Sequence, residues 1–254
     1  MTVMRRNDEM LSESEINQAR VDLAASFRWF ARLGMHESVA NHLSVAVSRD
    51  GSKFLMNPRG RHFSRVKASE LLLLDSADQT TLQRSDAPDP TAWFIHGRLH
   101  ARLPEARCII HLHPIYTTAL AGLEDSTLTP IDQNTMRFYG RVATDEVFGG
   151  MALADEEGDR LAGMLGGKPI LMMGNHGILV TAPSIAFGFD EMVYFERAAQ
   201  TLMIALASGR KLRVVPDDVA RLTAKQWLDY PHLAADHLNA VKAILDREEP
   251  DYRQ

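Results

Sequence analysis

The feature that most constrains the fold of this chain is a pair of histidines on an apolar strand, followed later by a third histidine in a glycine-flanked turn. His111 and His113 come directly after the apolar residues 108–110. Residues two apart on a strand point to the same face, so these two rings can aim at one point. A second apolar run, 169–173, leads straight into His176. The chain is therefore expected to fold so that the two strand ends meet.

Three histidines supply the ligand count of a catalytic metal site, because zinc held by three protein ligands keeps its fourth position open. We predict that His111, His113 and His176 hold a divalent metal, with zinc as the first candidate and manganese as the second. The competing interpretation is that the strand pair consists of ordinary buried histidines with backbone partners, since ten histidines make a chance pair easy. The apolar strands that lead into the histidines favour the metal.

The composition is that of an ordinary globular protein and excludes several partners. The 254 residues are 45% hydrophobic and 24% charged, which suits one large domain or two small ones. A formal net charge of −5 and scattered arginines give no basic surface for a nucleic acid. No apolar run approaches the roughly 18–20 residues of a membrane span. The expected partner is therefore a small-molecule substrate, with neither a nucleic acid nor a membrane.

The single cysteine and the polar start of the chain bear on its location. One cysteine, Cys108, excludes an internal disulfide and fits a reducing compartment. On its apolar strand Cys108 is expected to be a small buried side chain. Residues 1–10 are polar and charged, which does not suit a signal peptide. We therefore expect a cytoplasmic protein.

Helical and strand patterns alternate along the chain without a strict strand–helix–strand rhythm. Residues 1–11 are expected to be a disordered lead, after which Ser12 and Glu15 have the form of a capping box that begins a helix ending near Leu33. This pattern favours a central, mainly antiparallel sheet flanked by helices. Further helices are predicted at 91–103, 116–122, 155–165 and 184–208, and strands at 43–47, 54–56, 108–110, 169–173 and 178–181.

Four separated motifs resemble the class II aldolase/adducin family. They are the His-x-His-Pro strand, the Asn-His-Gly turn, the Asn41-x-x-Ser44 turn and the Pro58-x-Gly60 turn, and they occur in the family's order over roughly residues 15–210. The resemblance implies a three-layer α/β/α fold with a central mainly antiparallel sheet. It also implies a family domain over residues 12–210 and a C-terminal helical extension over residues 211–254.

The resemblance assigns roles to further positions beside the metal-binding histidines. In the aldolases the two turns cradle the phosphate or polar end of the substrate, which implies substrate-binding roles for Asn41, Ser44, Arg59, Gly60 and Arg61. Arg59 stands where the aldolases have a small hydroxyl residue, and guanidinium groups bind carboxylates bidentately. The turn is therefore expected to hold an acidic substrate; the competing interpretation is a solvated basic loop.

Two departures from the aldolase pattern affect the expected chemistry. The aldolases carry an acid/base glutamate four residues before a helix histidine; here the histidine is His96 and the matching position is Ala92. The aldolases also bring a tyrosine from a neighbouring subunit, for which Tyr139 is the candidate if it is not simply a packing aromatic. Decarboxylation needs no base to remove a hydroxyl proton, and His96 could return a proton afterwards unless it is a core histidine.

These features predict a divalent-metal-dependent carbon–carbon lyase, of aldolase or decarboxylase type, for a small hydroxy or keto acid or an aromatic carboxylic acid. The adducin branch of the family implies an alternative, a non-catalytic binding or scaffold module with a vestigial metal site. Ala92 favours that module, whereas the complete set of three histidines favours the lyase. The sugar-phosphate aldolases of the family assemble as tetramers, so the resemblance implies a homotetramer, or at least a homo-oligomer. The apolar residues of 211–254 can pack on a neighbour or on the chain's own core.

Overall fold

The computed structural model describes residues 9–254, which fold around one seven-stranded sheet. The strands are β1 (His42–Ala46), β2 (Lys53–Met56), β3 (Leu72–Asp75), β4 (Cys108–Leu112), β5 (Val142–Asp145), β6 (Ile170–Met173) and β7 (Gly177–Ala182). The helices are α1 (Glu13–Arg32), α2 (Pro90–Arg102), α3 (Ile115–Ala121), α4 (Gln133–Arg137), α5 (Asp155–Met164), α6 (Ile185–Ala207), α7 (Asp217–Leu228) and α8 (His232–Glu248). Within residues 9–254, no helix is long and apolar enough to cross a membrane.

The sheet places the strand that carries the histidine pair at its centre. The strand order is β3-β2-β1-β4-β7-β6-β5, and every neighbouring pair is antiparallel except β5 with β6. In this register His42 of β1 lies opposite His111 of β4, and His111 lies opposite Leu179 of β7. The mainly antiparallel sheet expected from the sequence is confirmed.

Helices cover both faces of the sheet, because successive strand residues point to opposite sides. Ile110 belongs to the core on the side of α1, α6 and α8. Its neighbour Ile109 belongs to a second core on the opposite side, with Leu99 of α2 and Leu161 of α5. All four side chains are buried. The protein is therefore the three-layer α/β/α fold that the family resemblance implies.

Helix α2 crosses the face of the sheet on which His42 and Ser44 project. Asp89 begins this helix by accepting a hydrogen bond from the backbone N–H of Thr91 at 2.9 Å. His96 and His100 lie one turn apart on the helix, so they share one face, and both are buried against β1. The helix thus brings two further histidines to the side of the sheet that carries His111.

The segment 211–254 packs on the chain's own core. Helix α8 lies against α1 and α6 and buries Leu238, Val241 and Leu245 in the larger core. After it, a short 3-10 turn at Pro250–Arg253 buries Tyr252 completely. Apolar side chains on α7, including Leu222, remain exposed. The side of the sheet that carries α1 and α6 therefore includes the segment predicted as an extension.

A buried arginine ties α4 to α6 and α7. The guanidinium of Arg137 donates to Asp190 at 2.6 Å and to Glu191 at 2.9 Å, both on α6. It also stacks 4.6 Å from the ring of Tyr194 and 4.8 Å from that of Trp227. Breaking a buried ion pair is strongly destabilising because it leaves an uncompensated charge. Arg137 therefore holds this corner of the fold together.

The start of the chain is described only from residue 9. The predicted disordered lead over 1–11 lies outside the described residues for positions 1–8. Leu11 donates its backbone N–H to Val47 at 2.8 Å, and Arg49 donates its own to Glu9 at 2.8 Å, so these residues run beside the end of β1. The capping box of Ser12 is present as predicted.

Candidate metal centre

The three histidines predicted to bind a metal converge where β4 ends and β6 turns into β7. Nε2 of His111 and Nε2 of His113 lie 3.0 Å apart. The ring centroid of His176 lies 4.8 Å from that of His111 and 4.7 Å from that of His113. The potential ligand atoms of all three residues lie within 4.8 Å of one another. We refer to these three residues as the histidine cluster.

Hydrogen bonds on the outer side of two rings fix which nitrogen faces inward. Nδ1 of His111 lies 3.0 Å from the carbonyl oxygen of Ile178, and Nδ1 of His113 lies 2.6 Å from Oε2 of Glu37. Carbonyl and carboxylate oxygens can only accept here, so both Nδ1 atoms carry the proton. When a metal replaces any remaining proton, the two facing Nε2 atoms are the ones free to bind it. A cation between them would relieve the repulsion of their lone pairs, so this donor set fits a divalent metal.

The glycine-flanked turn is built to let the rings approach. A Cβ at Gly177 would lie 2.6 Å from Cδ2 of His113 and 2.6 Å from the carbonyl oxygen of Leu112. A Cβ at Gly174 would lie 2.7 Å from the carbonyl oxygen of Asp145. Between the two glycines Asn175 takes a φ of 55°, a left-handed conformation that asparagine tolerates well. Glycines on both sides of His176 are therefore a steric requirement of this site.

Glu196 of α6 anchors the chain just after His113. Its carboxylate accepts hydrogen bonds from the backbone N–H of Tyr116 at 2.9 Å, and from the N–H and the hydroxyl of Thr117 at 2.8 and 2.6 Å. Pro114, which immediately precedes α3, offers no side-chain cap. Glu196 thus satisfies N–H groups that the helix start leaves open and fixes the segment that follows His113.

Burial keeps two of the three rings, His111 and His176, in the form that a metal requires. Burial lowers the pKa of His111 well below the ordinary histidine value, and the neighbouring rings of His42 and His113 lower it further. Burial also lowers the pKa of His176 to about 4, with a further contribution from His113. Both rings are therefore neutral near pH 7. Neutral imidazole is the metal-binding form.

A second group of polar side chains lies behind the cluster, between β1 and α2. Nδ1 of His42 lies 2.8 Å from Nε2 of His96. Oγ of Ser44 lies 2.6 Å from Nδ1 of His96 and 2.8 Å from Nε2 of His100. Each of these four residues is at most 2% exposed. The ring of His42 is the one that reaches the histidine cluster, with its centroid 4.9 Å from that of His111.

This arrangement corrects the roles expected for His96 and Ser44. His96 is fully buried, and its two nitrogens contact His42 and Ser44, so it cannot hand a proton directly to a substrate. Ser44 is also fully buried, and its hydroxyl contacts His96 and His100, so it does not cradle a substrate. His42, which the sequence reasoning did not single out, stands between these residues and the cluster.

The other predicted substrate-binding residues differ in exposure and in whether their side chains are already paired within the chain. The side chain of Arg59 is 67% exposed, and its nearest carboxylate, Asp89, lies 3.9 Å away. Gly60 is exposed and adopts a φ of 72°. Arg61 instead forms a two-pronged ion pair with Glu70. Arg59 is therefore available to an anion, whereas the guanidinium of Arg61 is already paired.

Asn41 combines a structural contact with an unused donor. Its Oδ1 accepts the backbone N–H of Glu37 at 2.7 Å, which fixes the loop that carries the partner of His113. Its Nδ2 is buried and has no hydrogen-bond partner among residues 9–254. Buried donors without a partner are uncommon, so Nδ2 is a candidate contact for a bound molecule.

Two residues identified from the family pattern lie in other surroundings. Tyr139 hydrogen-bonds to Asp217 and lies under the guanidinium of Arg221, 5.4 Å from its ring centre, so in this chain it contacts α7. Ala92 is 2% exposed and belongs to an apolar cluster with Phe54 and Trp93. A carboxylate at position 92 would face apolar neighbours, which is costly for a charged group.

Sequence reasoning missed three residues that complete the site. Glu37 contacts His113, which lies 76 residues later in the sequence, and no local sequence pattern predicts that contact. His42 lies two positions before Ser44 on a strand, so alternation could have placed both on one face. Phe148 stands with its ring 5.7 Å from that of His176, edge to face, and is 51% exposed. It gives the cluster an apolar neighbour.

Comparison with known proteins defines the family. Residues 21–203 match the family model described as the Class II Aldolase and Adducin N-terminal domain. The chain therefore belongs to the class II aldolase and adducin family, as its motifs predict. Divalent-metal dependence is a property of the class II aldolases, and the histidine cluster is the group of residues that can meet it here.

The similar proteins include a decarboxylase and an adducin. A protein of Caulobacter vibrioides, provisionally called an aldolase class 2 protein, is 32% identical over 95% of this chain and 94% of its own length. Decarboxylase NovR of Streptomyces niveus is 27% identical over 80% of this chain and 75% of its own. Human beta-adducin is 27% identical over 75% of this chain but only 26% of its own. The family thus includes members that differ in function.

Solved structures support the same fold. An aldolase II superfamily protein from Pseudomonas syringae superposes with a TM-score of 0.85 at 28% identity, covering 96% of this chain and 98% of the other. An L-fuculose 1-phosphate aldolase from Glaciozyma antarctica superposes with a TM-score of 0.80 at 23% identity, covering 95% and 94%. At that identity the second match supports the fold alone.

Proposed function

We propose that this protein is a divalent-metal-dependent carbon–carbon lyase acting on a small hydroxy or keto acid or an aromatic carboxylic acid. The observation that carries the proposal is the convergence of His111, His113 and His176, with the Nε2 atoms of the first two facing each other at 3.0 Å. Three ligands leave room for a substrate at the metal, as in catalytic zinc sites. Zinc is the metal we favour, with manganese as the alternative.

Different residues of the chain have different roles around that metal. A bound divalent metal supplies Lewis-acid polarisation of a substrate oxygen and stabilises the negative charge left when a carbon–carbon bond breaks. Glu37 holds His113 in its ligand tautomer through the 2.6 Å contact, and the carbonyl of Ile178 does the same for His111. Arg59 and Nδ2 of Asn41 are the free donors that we assign to the polar end of the substrate.

The position of the missing glutamate favours decarboxylation over aldol cleavage. Aldol cleavage requires a base for a substrate hydroxyl, and Ala92 occupies the corresponding position in an apolar cluster. Loss of carbon dioxide leaves the same kind of charge on the substrate without that base. Phe148 beside His176 suits a substrate with an apolar or aromatic body. The similarity to a named decarboxylase supports this choice.

We also propose that the protein works as a cytoplasmic homotetramer. Support for an assembly comes from four large apolar side chains on the loop beside the histidine cluster, which are more than half exposed: Val147, Phe148, Met151 and Leu153. Support for a reducing compartment comes from Cys108, a free buried thiol whose pKa burial raises to about 12. Size by light scattering at several concentrations tests the tetramer.

A metal-dependent turnover assay tests the lyase. The protein, stripped with a chelator and reloaded with zinc or manganese, is incubated with a panel of β-keto acids, ortho-hydroxybenzoic acids and aldol-type hydroxy acids. Carbon dioxide and aldehyde release are measured separately. We expect metal-dependent carbon dioxide release that is absent from the His111→Ala/His113→Ala variant. Release that persists in that variant, or that is unaffected by removal of the metal, would contradict the proposal.

The second candidate is a binding module without catalysis. Ala92 and the similarity to beta-adducin favour it, since one catalytic carboxylate of the aldolases is absent at its usual place. A module of this kind would retain its fold and stability without a metal. Loading the protein with a divalent metal distinguishes the lyase from the binding module. A lyase gains both bound metal and turnover, whereas the module gains neither.

A further inference from the structure

A buried chain of hydrogen bonds runs from beside the histidine cluster into the core. It joins His42 to His96, His96 to Ser44, and Ser44 to His100, with donor–acceptor distances of 2.8, 2.6 and 2.8 Å. The positions of the heavy atoms do not reveal where the hydrogens lie. They do restrict which nitrogen of each ring can carry the proton, because neighbouring hydrogen bonds of the chain share a ring or the Ser44 hydroxyl.

The three rings of this chain must carry their protons in the same way. All three rings are at most 2% exposed, and within residues 9–254 their nitrogens hydrogen-bond to one another and to Ser44 rather than to a carboxylate. A buried charge without a partner is costly, so each ring is neutral and holds one proton, on Nδ1 or on Nε2. Ser44 could in principle accept from both rings, but its own buried O–H would then lack an acceptor, since His96 and His100 are its hydrogen-bond partners among residues 9–254. With Ser44 donating to one ring and accepting from the other, all three rings are protonated on Nδ1 or all three on Nε2.

The inner end of the chain selects between these two states. Nδ1 of His100 is buried and has no hydrogen-bond partner among residues 9–254. Protonation of His100 on Nδ1 would leave this N–H without an acceptor. Buried N–H groups without an acceptor are rarer than buried acceptors without a donor. The positive charge of Arg107 acts on the same ring, which disfavours a further proton and favours a lone pair. The proton of His100 therefore belongs on Nε2, where Ser44 can accept it.

We infer that His42 carries its proton on Nε2 and donates this N–H to a substrate oxygen beside the histidine cluster. The inference rests on the proposed lyase function for the identity of that oxygen. His42 lies opposite His111 in the β1–β4 ladder, with the ring centroids 4.9 Å apart. Its Nδ1 is occupied by His96, so Nε2 is the nitrogen left for a ligand.

A neutral imidazole N–H is suited to an oxygen that becomes negatively charged. Preorganised donors stabilise such charge without reorganising at the moment of reaction, and a neutral histidine can act in this way. The proton itself stays on His42. If it left, the chain would have one proton too few, and the buried end at His100 has no described partner from which to replace it. His42 is thus the catalytic residue, and His96, Ser44 and His100 are positioning residues.

Tautomer-resolved NMR on the metal-free protein tests the proton assignment. Long-range ¹H–¹⁵N correlation spectra of ¹⁵N-histidine-labelled protein at pH 7 report which nitrogen of each ring is protonated, with assignments from single His→Gln variants. We expect His42, His96 and His100 all to be neutral and protonated on Nε2. Protonation on Nδ1 in these rings, or a doubly protonated His42, would overturn the inference. Neither result depends on whether the protein is a lyase.

A matched pair of serine variants tests whether the chain fixes the tautomer. Ser44→Ala removes the hydroxyl between His96 and His100, so we expect His42 to show a mixture of tautomers. Ser52→Ala removes another buried hydroxyl, one that contacts Asp50 on the same hairpin, and should leave the His42 spectrum unchanged. An unchanged His42 spectrum in Ser44→Ala would remove the positioning role of the chain.

Oxalate binding to the zinc-loaded protein tests the donor role itself. Oxalate is a planar dianion that offers oxygens to a metal and to a neighbouring donor. We expect His42→Phe to bind zinc as wild type does and oxalate about ten- to a hundredfold more weakly, the range for a hydrogen bond to a charged group. Equal oxalate affinity at equal zinc content would contradict the role of His42. Absence of zinc from the wild type would instead count against the proposed function.

Discussion

The carboxylate of Glu37 lies 2.6 Å from Nδ1 of His113, and this contact turns the opposite nitrogen of the ring toward the other two histidines. Glu37 belongs to the loop after α1, and Asn41 in the same loop accepts its backbone N–H. The hydrogen-bond partner of a ring that we propose as a metal ligand is therefore supplied by a segment far from it in sequence. Such partners orient the ligand and raise its basicity.

Glu37→Gln should weaken metal binding without unfolding the protein. The amide cannot provide the carboxylate's charge to His113, and loss of such a partner costs about 10- to 100-fold in metal affinity. Zinc affinity measured by competition with a chromophoric chelator checks this. Glu105→Gln, an exposed carboxylate remote from the cluster, is the control. Equal affinities for the two variants would mean that the 2.6 Å contact does not support the metal.

Gly177→Ala should displace His113. The added Cβ would stand 2.6 Å from the ring and 2.6 Å from a backbone oxygen, a separation that real structures do not tolerate, so the ring or the strand end must move. We expect at least a tenfold loss of zinc affinity. Gly163→Ala, where a Cβ meets nothing within 4 Å, should bind zinc like wild type. Wild-type zinc affinity in Gly177→Ala would contradict this account of the turn.

Glu196→Leu should destabilise the start of α3. Three donors lose their acceptor in this variant, and each partly buried group left unpaired costs about 1–3 kcal/mol. Relief of the desolvation that raises the pKa of Glu196 offsets part of that loss, so we expect a net loss of about 2–4 kcal/mol. Urea unfolding measures it. Arg197→Leu, an exposed neighbour on the same helix, should change stability by less than about 0.5 kcal/mol; a similar loss in both variants would refute the anchoring role.

Stability should fall as the pH drops below about 6.5, the histidine pKa of an unfolded chain. Burial lowers the pKa of His100 to about 3 in the folded protein, so between these values the unfolded chain binds a proton that the folded chain does not. The free energy of unfolding then decreases by about 1.4 kcal/mol per pH unit for this residue. Urea unfolding of metal-free protein at pH 7 and pH 5.5 measures the slope. His100→Leu should lower the slope, and an unchanged slope would contradict the assignment.

The fold was largely predictable because its main elements carry local signals. The helix at Pro90–Arg102 and the strand at Ile170–Met173 lie within a residue or so of their predicted bounds, since cap residues and apolar runs specify them. Neither α4 nor β5 was predicted. β5 has only four residues, Val142–Asp145, and becomes a strand through parallel pairing with β6. That pairing joins segments distant in sequence, and no local sequence pattern predicts it.

The site was predictable only where geometry follows from spacing. Two histidines two apart on a strand share a face, and their convergence with His176 follows from the motif order. The contact between Glu37 and His113 depends on how a loop closes over the sheet. The burial of His96 depends on how α2 crosses β1. Both are products of packing between distant segments, which explains why the first was missed and why the sequence could not decide between a proton-donor and a core role for His96.

Metal content tests the central claim most directly. Elemental mass spectrometry on purified, tag-free protein should find about one divalent ion per chain, and the His111→Ala/His113→Ala variant, folded to the same extent by circular dichroism, should have lost it. This result would identify the metal and support the lyase. No metal in the wild type, even after incubation with zinc and manganese, would contradict the account and leave a binding module on an aldolase fold.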